Sequence, residues 1–125
     1  MIAETFKIII ERLKEKTSKN EASWSKTNRD TEFKLDFGKG AITIDNWSDS
    51  HNEYVDCNIL NENGDKVDGV VFPFVEETTN FLYLQELYTM VKRSYYKTDE
   101  TFENILKELK SDNKIGFEKK VSSQW

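Results

Sequence analysis

Apolar residues fall along this chain in two rhythms. Over residues 3–17, Phe6, Ile9, Ile10 and Leu13 stand at i, i+3, i+4 and i+7, which puts them on one face of an amphipathic helix. Lys7, Glu11, Lys14 and Glu15 fall off that stripe, and the polar stretch Thr17 to Glu21 ends it. The rhythm then changes to alternation, the period of a half-buried strand. Ala22, Trp24 and Lys26 suggest a short first strand. Phe33, Leu35 and Phe37 alternate with Glu32, Lys34 and Asp36. After the Gly38-Lys39-Gly40 turn, Ile42 and Ile44 alternate with Thr43 and Asp45 as far as Trp47. Tyr54 to Leu60 is rich in strand formers, with Val55, Cys57 and Ile59 sharing a face. Asn63-Gly64 is a strong hairpin signal, and Lys66 to Phe72 is the returning strand, short or bulged at Gly69. Pro73 closes the sheet region. The helical rhythm then returns. Phe81, Leu84, Tyr88, Val91 and Tyr95, with Leu87 beside them, predict the longest helix over 77–97. Thr98 or Asp99 caps a final helix, with Glu100 in its first turn where the dipole favours acids. Phe102, Ile105, Leu106 and Leu109 predict its buried stripe, and the pattern stops after Ser111.

Connections of hairpin length require antiparallel pairing. The predicted fold is therefore α+β: an N-terminal helix, an antiparallel meander of four to five strands, and two C-terminal helices packed on one face of the sheet. One domain over 1–111 is expected. Residues 112–125 form a polar tail, with Ile115, Phe117, Val121 and Trp125 scattered among charges, a pattern that fits fraying or docking. Several structural motifs carry a resemblance: Leu13 and Thr17 before Trp24, Gly40-Ala41-Ile42-Thr43-Ile44, Asn61-Glu62-Asn63-Gly64, Leu84-Gln85-Glu86-Leu87-Tyr88 with Arg93, and Asp99 before Ile105-Leu106-Lys107-Glu108-Leu109. Over about residues 5–110 the chain loosely resembles small uncharacterised bacterial and phage proteins of this helix–meander–helix order. The resemblance implies that order and no catalytic residue.

Composition narrows the class. The 125 residues suit one domain. Aromatics make up 13% of the chain, enough large side chains to build a core and to speak against global disorder. No apolar run reaches the roughly 20 residues of a membrane span, and charges interrupt the N-terminal stretch where a secretory signal would be unbroken. The lone Cys57 can form no internal disulfide or thiolate cage. A soluble protein of a reducing, cytoplasmic compartment is expected, without a membrane partner. Net charge is −5, with the excess acid concentrated in residues 21–75, so nothing supports binding a phosphate backbone. The lysines of the first helix (Lys7, Lys14, Lys16, Lys19) are interleaved with acids and read as a solvated face.

Chemistry-bearing motifs are sparse. His51 shares one loop with Ser48, Asp49 and Ser50, but triads need partners that converge in space rather than in sequence. Cys57, on a core-facing strand position, reads as a small hydrophobe. Asn61, Asn63 and Asp65 have the alternation of a calcium loop, yet an EF-hand frame needs glycine sixth and glutamate twelfth. Here Gly64 is fourth and Phe72 twelfth, and the hairpin explains the same residues. There is no phosphate-binding glycine fingerprint. No catalytic residue, metal site or cofactor is expected.

Two features stand above this background. The segment Asp45 to Asp68 sets Asp45, Asp49, Glu53, Asp56, Glu62, Asp65 and Asp68 against Lys66 alone. Trp24, Trp47, Tyr54, Tyr83, Tyr96 and Trp125 fall off, or at the ends of, the core stripes, and Trp and Tyr dominate binding hot spots. The leading expectation is a non-enzymatic protein-interaction module, an immunity-type or regulatory binder. Its acidic strand face (Asp45, Trp47, Asp49, Glu53, Tyr54, Asp56) would meet another, basic protein. One alternative is a small-ligand binder or enzyme with a pocket between sheet and long helix, lined by Tyr83, Tyr88, Arg93, Tyr95 and Tyr96. Another is a homo-oligomer whose spare aromatics bury one another.

Overall fold

The computed structural model describes residues 2–117; Val121, Trp125 and the rest of 118–125 lie outside the described residues. The chain runs through α1 (Glu4–Ser18), β1 (Ser25–Lys26), β2 (Glu32–Phe37), β3 (Gly40–Ser48), β4 (Glu53–Asn61), β5 (Lys66–Pro73), α2 (Thr78–Tyr95) and α3 (Thr98–Leu109). The strands form one antiparallel sheet in the order β1-β2-β3-β4-β5. This is the predicted α+β arrangement, with a first strand of only two residues. At the β4–β5 turn Gly64 adopts φ 87°. The Asn61 side-chain oxygen accepts the backbone N–H groups of Asn63 and Asp65, both at 3.0 Å. The asparagines of the would-be calcium loop are thus occupied in shaping a hairpin.

Register decides which residues share a face. Phe33 lies opposite Ile44, Ile44 opposite Cys57 and Cys57 opposite Val70; Leu35 pairs with Ile42, Ile42 with Ile59, and Val55 with Phe72. These form the inner face. α2 lies on it with Phe81, Leu84, Leu87, Tyr88 and Val91 buried. Each full burial of such a side chain contributes about 1.5–3 kcal/mol. α1 lies beside α2 and buries Phe6, Ile10 and Leu13. Tyr83 donates a hydrogen bond to Glu11, and the Lys14 ammonium sits 2.7 Å from Glu86. Because both partners advance together along the chain, the two helices run parallel. Trp24, which the strand pattern left off the core stripes, is buried, and its indole N–H donates to Thr17 of α1 at 3.1 Å.

The predicted burial of the last helix needs correcting. Phe102, Ile105, Leu106 and Leu109 do line one face of α3, but no residue of that helix is buried and all after Thr98 are solvent-exposed. α1 and α2 cover most of the inner face, and α3 makes its contacts with α2 rather than with the sheet. Among the described residues no helix is long and apolar enough to cross a membrane.

Candidate functional site

Among the described residues no helix covers the other face of the sheet, and its residues fall into cross-strand rows. One row is Trp47, Tyr54 and Pro73, and the next is Glu32, Asp45, Asp56 and Val71. A third is Lys34, Thr43, Asn58 and Gly69. The aromatic row therefore lies directly beside an acidic one. The Trp47 and Tyr54 rings stack with centroids 4.2 Å apart and planes 19° from parallel, a face-to-face contact that fixes both side chains. The Trp47 indole N–H donates to an Asp56 carboxylate oxygen at 2.8 Å, and the Tyr54 hydroxyl donates to Asp49 at 3.2 Å. Both rings are half-buried, leaving an edge and part of a face open to a partner.

The two acids differ in character. Asp49 begins the loop after β3 and accepts the backbone N–H groups of His51 and Asn52, each at 2.8 Å. The His51 amide above all, then that of Asn52, holds its carboxyl below the ordinary carboxylate value, so it is a firm negative charge. Asp56 is pushed upward. Desolvation is the main cause, opposed by the Trp47 N–H and reinforced by repulsion from Asp45 and Glu32 in its own row. Desolvation and then the Asp49 hydrogen bond raise the Tyr54 phenol, keeping it a proton donor.

A hollow of about 280 Å³ opens beside Trp47, lined by Asp56, Asn58, Gly69 and Val71 among others. At its edge residue 69 is held to glycine by close neighbours: a Cβ there would come 2.3 Å from the Asn58 side-chain oxygen, 2.9 Å from Lys66 Cε and 3.2 Å from the Cys57 carbonyl. The irregularity of β5 falls at Val67, between the Ile59–Asp68 and Leu60–Lys66 pairs, and not at Gly69, which pairs regularly with Asn58.

Two of the six acidic-face residues sit elsewhere than a free outward carboxylate would. Asp45 is on this face but only 2% exposed. The Arg29 guanidinium donates to it at 2.9 Å and the Thr31 hydroxyl at 2.6 Å, so the loop before β2 covers it. Alternation gave its direction correctly; its burial comes from that loop. Glu53 pairs in register with Ser48, accepts a 3.0 Å bond from Asn46, and lies with the inner-face positions. Trp47, Asp49, Tyr54 and Asp56 are the four brought together.

The second predicted constellation is split. Tyr88 is buried and its hydroxyl donates to the Thr31 carbonyl at 2.7 Å. Tyr95 and Tyr96 pack against Phe33 at the same end of α2. Tyr88, Arg93 and Tyr96 border a surface depression of about 560 Å³ with Gln85 and Lys92. Arg93 also pairs with Asp99. Tyr83 is apart from all of these, in the α1–α2 seam under the Lys14 ammonium, 4.0 Å from its ring centre. Core side chains fill the space between sheet and α2.

His51 lies in an exposed loop where Asp49 serves backbone amides and Tyr54. Cys57 is fully buried, and desolvation pushes its thiol up to about 12, the opposite of an activated nucleophile. Among the described residues no group of three or more His, Cys, Asp or Glu side chains could hold a metal ion. No protein-family model matches this chain, and comparison with the curated proteins and the solved structures gives no significant match either.

Proposed function

We propose that the protein is a non-enzymatic interaction module, a regulatory or immunity-type binder, that receives a basic segment of another protein on its open sheet face. The observation that carries this reading is the Trp47–Tyr54 stack, held on an uncovered face with each ring's polar atom tied to a different acid. A Lys or Arg head over the rings gains cation–π attraction and finds Asp49 and Asp56 at their edges. Val71, half exposed, and the hollow at Gly69 accept the aliphatic stem. Firm ionisation of Asp49 supports steering of a cationic partner. The single, buried Cys57 suits a reducing compartment, so the cytoplasm is the proposed location.

The test is a tagged pull-down from cells that make the protein, wild type beside a Trp47→Ala, Asp49→Lys double variant whose fold is checked by circular dichroism. Loss of a stoichiometric partner in the variant, with wild-type binding that weakens as salt rises, supports the reading. A partner retained at full strength by the variant rejects this face. The depression beside Tyr88 favours a second reading. Lys92 and Arg93 at its border would suit an anionic small ligand, and a screen of anionic metabolites by thermal shift checks it.

A further inference from the structure

α3 carries an apolar stripe that nothing in the described fold covers: Phe102, Ile105, Leu106 and Leu109 are each more than half exposed. The same chain carries an open apolar groove of about 830 Å³ between α1 and the end of the sheet at the β2–β3 turn. Leu35, Ile42 and Ile59 form its floor; Ile8, Ile9 and Phe37 form its sides. The groove follows from how α1 packs. Its stripe of Phe6, Ile10 and Leu13 is spent on the core shared with α2, so that corner of the inner face stays open. Ile8 and Phe37 are consequently 54% and 52% exposed.

The two features match in length and charge. The α1 wall from Ile8 to Lys16 is about 12 Å long, and the α3 stripe from Phe102 to Leu109 about 10 Å, at the 1.5 Å rise of a helix. Arg12, Lys16 and Lys39 stand at the groove against Glu21 and Asp36, a small positive excess in which Arg12 pairs with Glu15 and Lys16 with Glu21. α3 presents Asp99, Glu100, Glu103 and Glu108 against Lys107. That acidic excess also argues against an anionic lipid surface as the α3 ligand. Lys97, left-handed at φ 51°, sets α3 at a fixed angle to α2 with its stripe turned to solvent, where another molecule can meet it.

We propose that the groove receives α3 of a second copy, so that two chains exchange C-terminal helices about a two-fold axis. Such an interface is isologous and closes on itself. With on the order of 400 Å² covered on each helix and about half that in each groove, reciprocal docking removes about 1,200 Å², the lower end of stable interfaces. This surface is separate from the Trp47–Tyr54 face, and the two proposals stand or fall independently.

Sedimentation equilibrium of the full chain tests it, using Ile105→Glu with Leu109→Glu on the helix and Ile8→Glu in the groove. All three positions are exposed, so the fold should survive, and circular dichroism checks this. The expected result is a concentration-dependent species of twice the 14.7 kDa chain mass, with its dissociation constant raised at least tenfold by either variant. Mixing the helix variant with the groove variant should restore a heterodimer, because one intact helix then meets one intact groove. A wild type that stays monomeric at every accessible concentration overturns the proposal. If it is monomeric but Ile8→Glu exposes α3 to protease, the helix occupies its own groove. If it is monomeric and binds anionic vesicles through α3, the occupant is a membrane. A dimer unaffected by Ile8→Glu means the helices pair with each other, which overturns it as well.

Discussion

Arg29 and Asp45 form an ion pair with unequal halves, and that inequality makes a measurable prediction. The Asp45 side chain is 3% exposed, whereas that of Arg29 is 56% exposed. Replacing Asp45 by Ala returns Arg29 to water at little cost and leaves Thr31, also at the surface, free to hydrate. What is lost is the anchoring of the 27–31 loop by hydrogen bonds to a charged acceptor, discounted because one donor is half exposed. A cost of about 1–2 kcal/mol follows. Relief of repulsion between Asp45 and its row neighbours Glu32 and Asp56 lowers it further. Replacing Arg29 by Ala does the opposite. It leaves a buried carboxylate between two acids with the Thr31 hydroxyl as its remaining donor, a loss that approaches the roughly 3 kcal/mol of breaking a buried pair.

The expected order is therefore Arg29→Ala worse than Asp45→Ala, with the double variant close to Asp45→Ala alone. Urea denaturation followed by tryptophan fluorescence gives all three values, and a double-mutant cycle extracts a coupling that approaches the roughly 3 kcal/mol of the Arg29→Ala loss itself. Heating reports the same order, about 4 °C in Tm for each kcal/mol in a chain of this size. If Asp45→Ala proves at least as damaging as Arg29→Ala, or the two effects simply add, then solvent reaches Asp45 and the covering-loop argument fails.

Two further outcomes follow from the same face. Gly69→Ala should destabilise by about 1 kcal/mol through overpacking against the Asn58 side chain. In an Asn58→Ala background the cost should shrink but not vanish, because the Lys66 side chain and the Cys57 carbonyl still crowd the new Cβ at 2.9 and 3.2 Å; denaturant midpoints of the four proteins decide it. Asp56 has a folded-state pKa raised above the ordinary 3.8, so the folded state binds its proton more tightly than the unfolded chain does. Its charge thus opposes folding as pH rises from that value through the folded pKa. Asp56→Asn should match or exceed wild type at pH 7, and wild type should gain on it as pH falls through that window. A difference that stays constant with pH counts against the desolvation argument.

Most of the fold was legible because period and turn chemistry are local properties. Phe33 with Leu35, Ile42 with Ile44, and Val55 with Cys57 and Ile59 each declare one face by alternation, and the inner face is built from them. Asn63-Gly64 declares its own hairpin. At the site, Trp47, Tyr54 and Asp56 come together because β3 and β4 pair in register with Trp47 opposite Tyr54. One split was also readable: Tyr83 and Tyr88, five residues apart, point about 140° from each other around a helix, so they cannot line one pocket.

What could not be read was whatever depends on a second element arriving. The alternation of β3 points Asp45 outward, and it does point outward, but Arg29 and Thr31 come from a loop well before it in the chain and close over it. The stripe of α3 has the same spacing as that of α1, Phe102-Ile105-Leu106-Leu109 against Phe6-Ile9-Ile10-Leu13, and yet one is exposed while the other lies largely in the core. Periodicity fixes the direction of a side chain relative to its own helix or strand. Burial is decided by what stands opposite, so Asp45 and the α3 stripe depart from expectation in opposite senses for one reason. An outward acid that is covered has found its neighbour within the chain. The inward-type stripe of α3 meets no neighbour among the described residues, and the uncovered corner beside Ile8 and Phe37 is an apolar surface of matching length with a small positive excess.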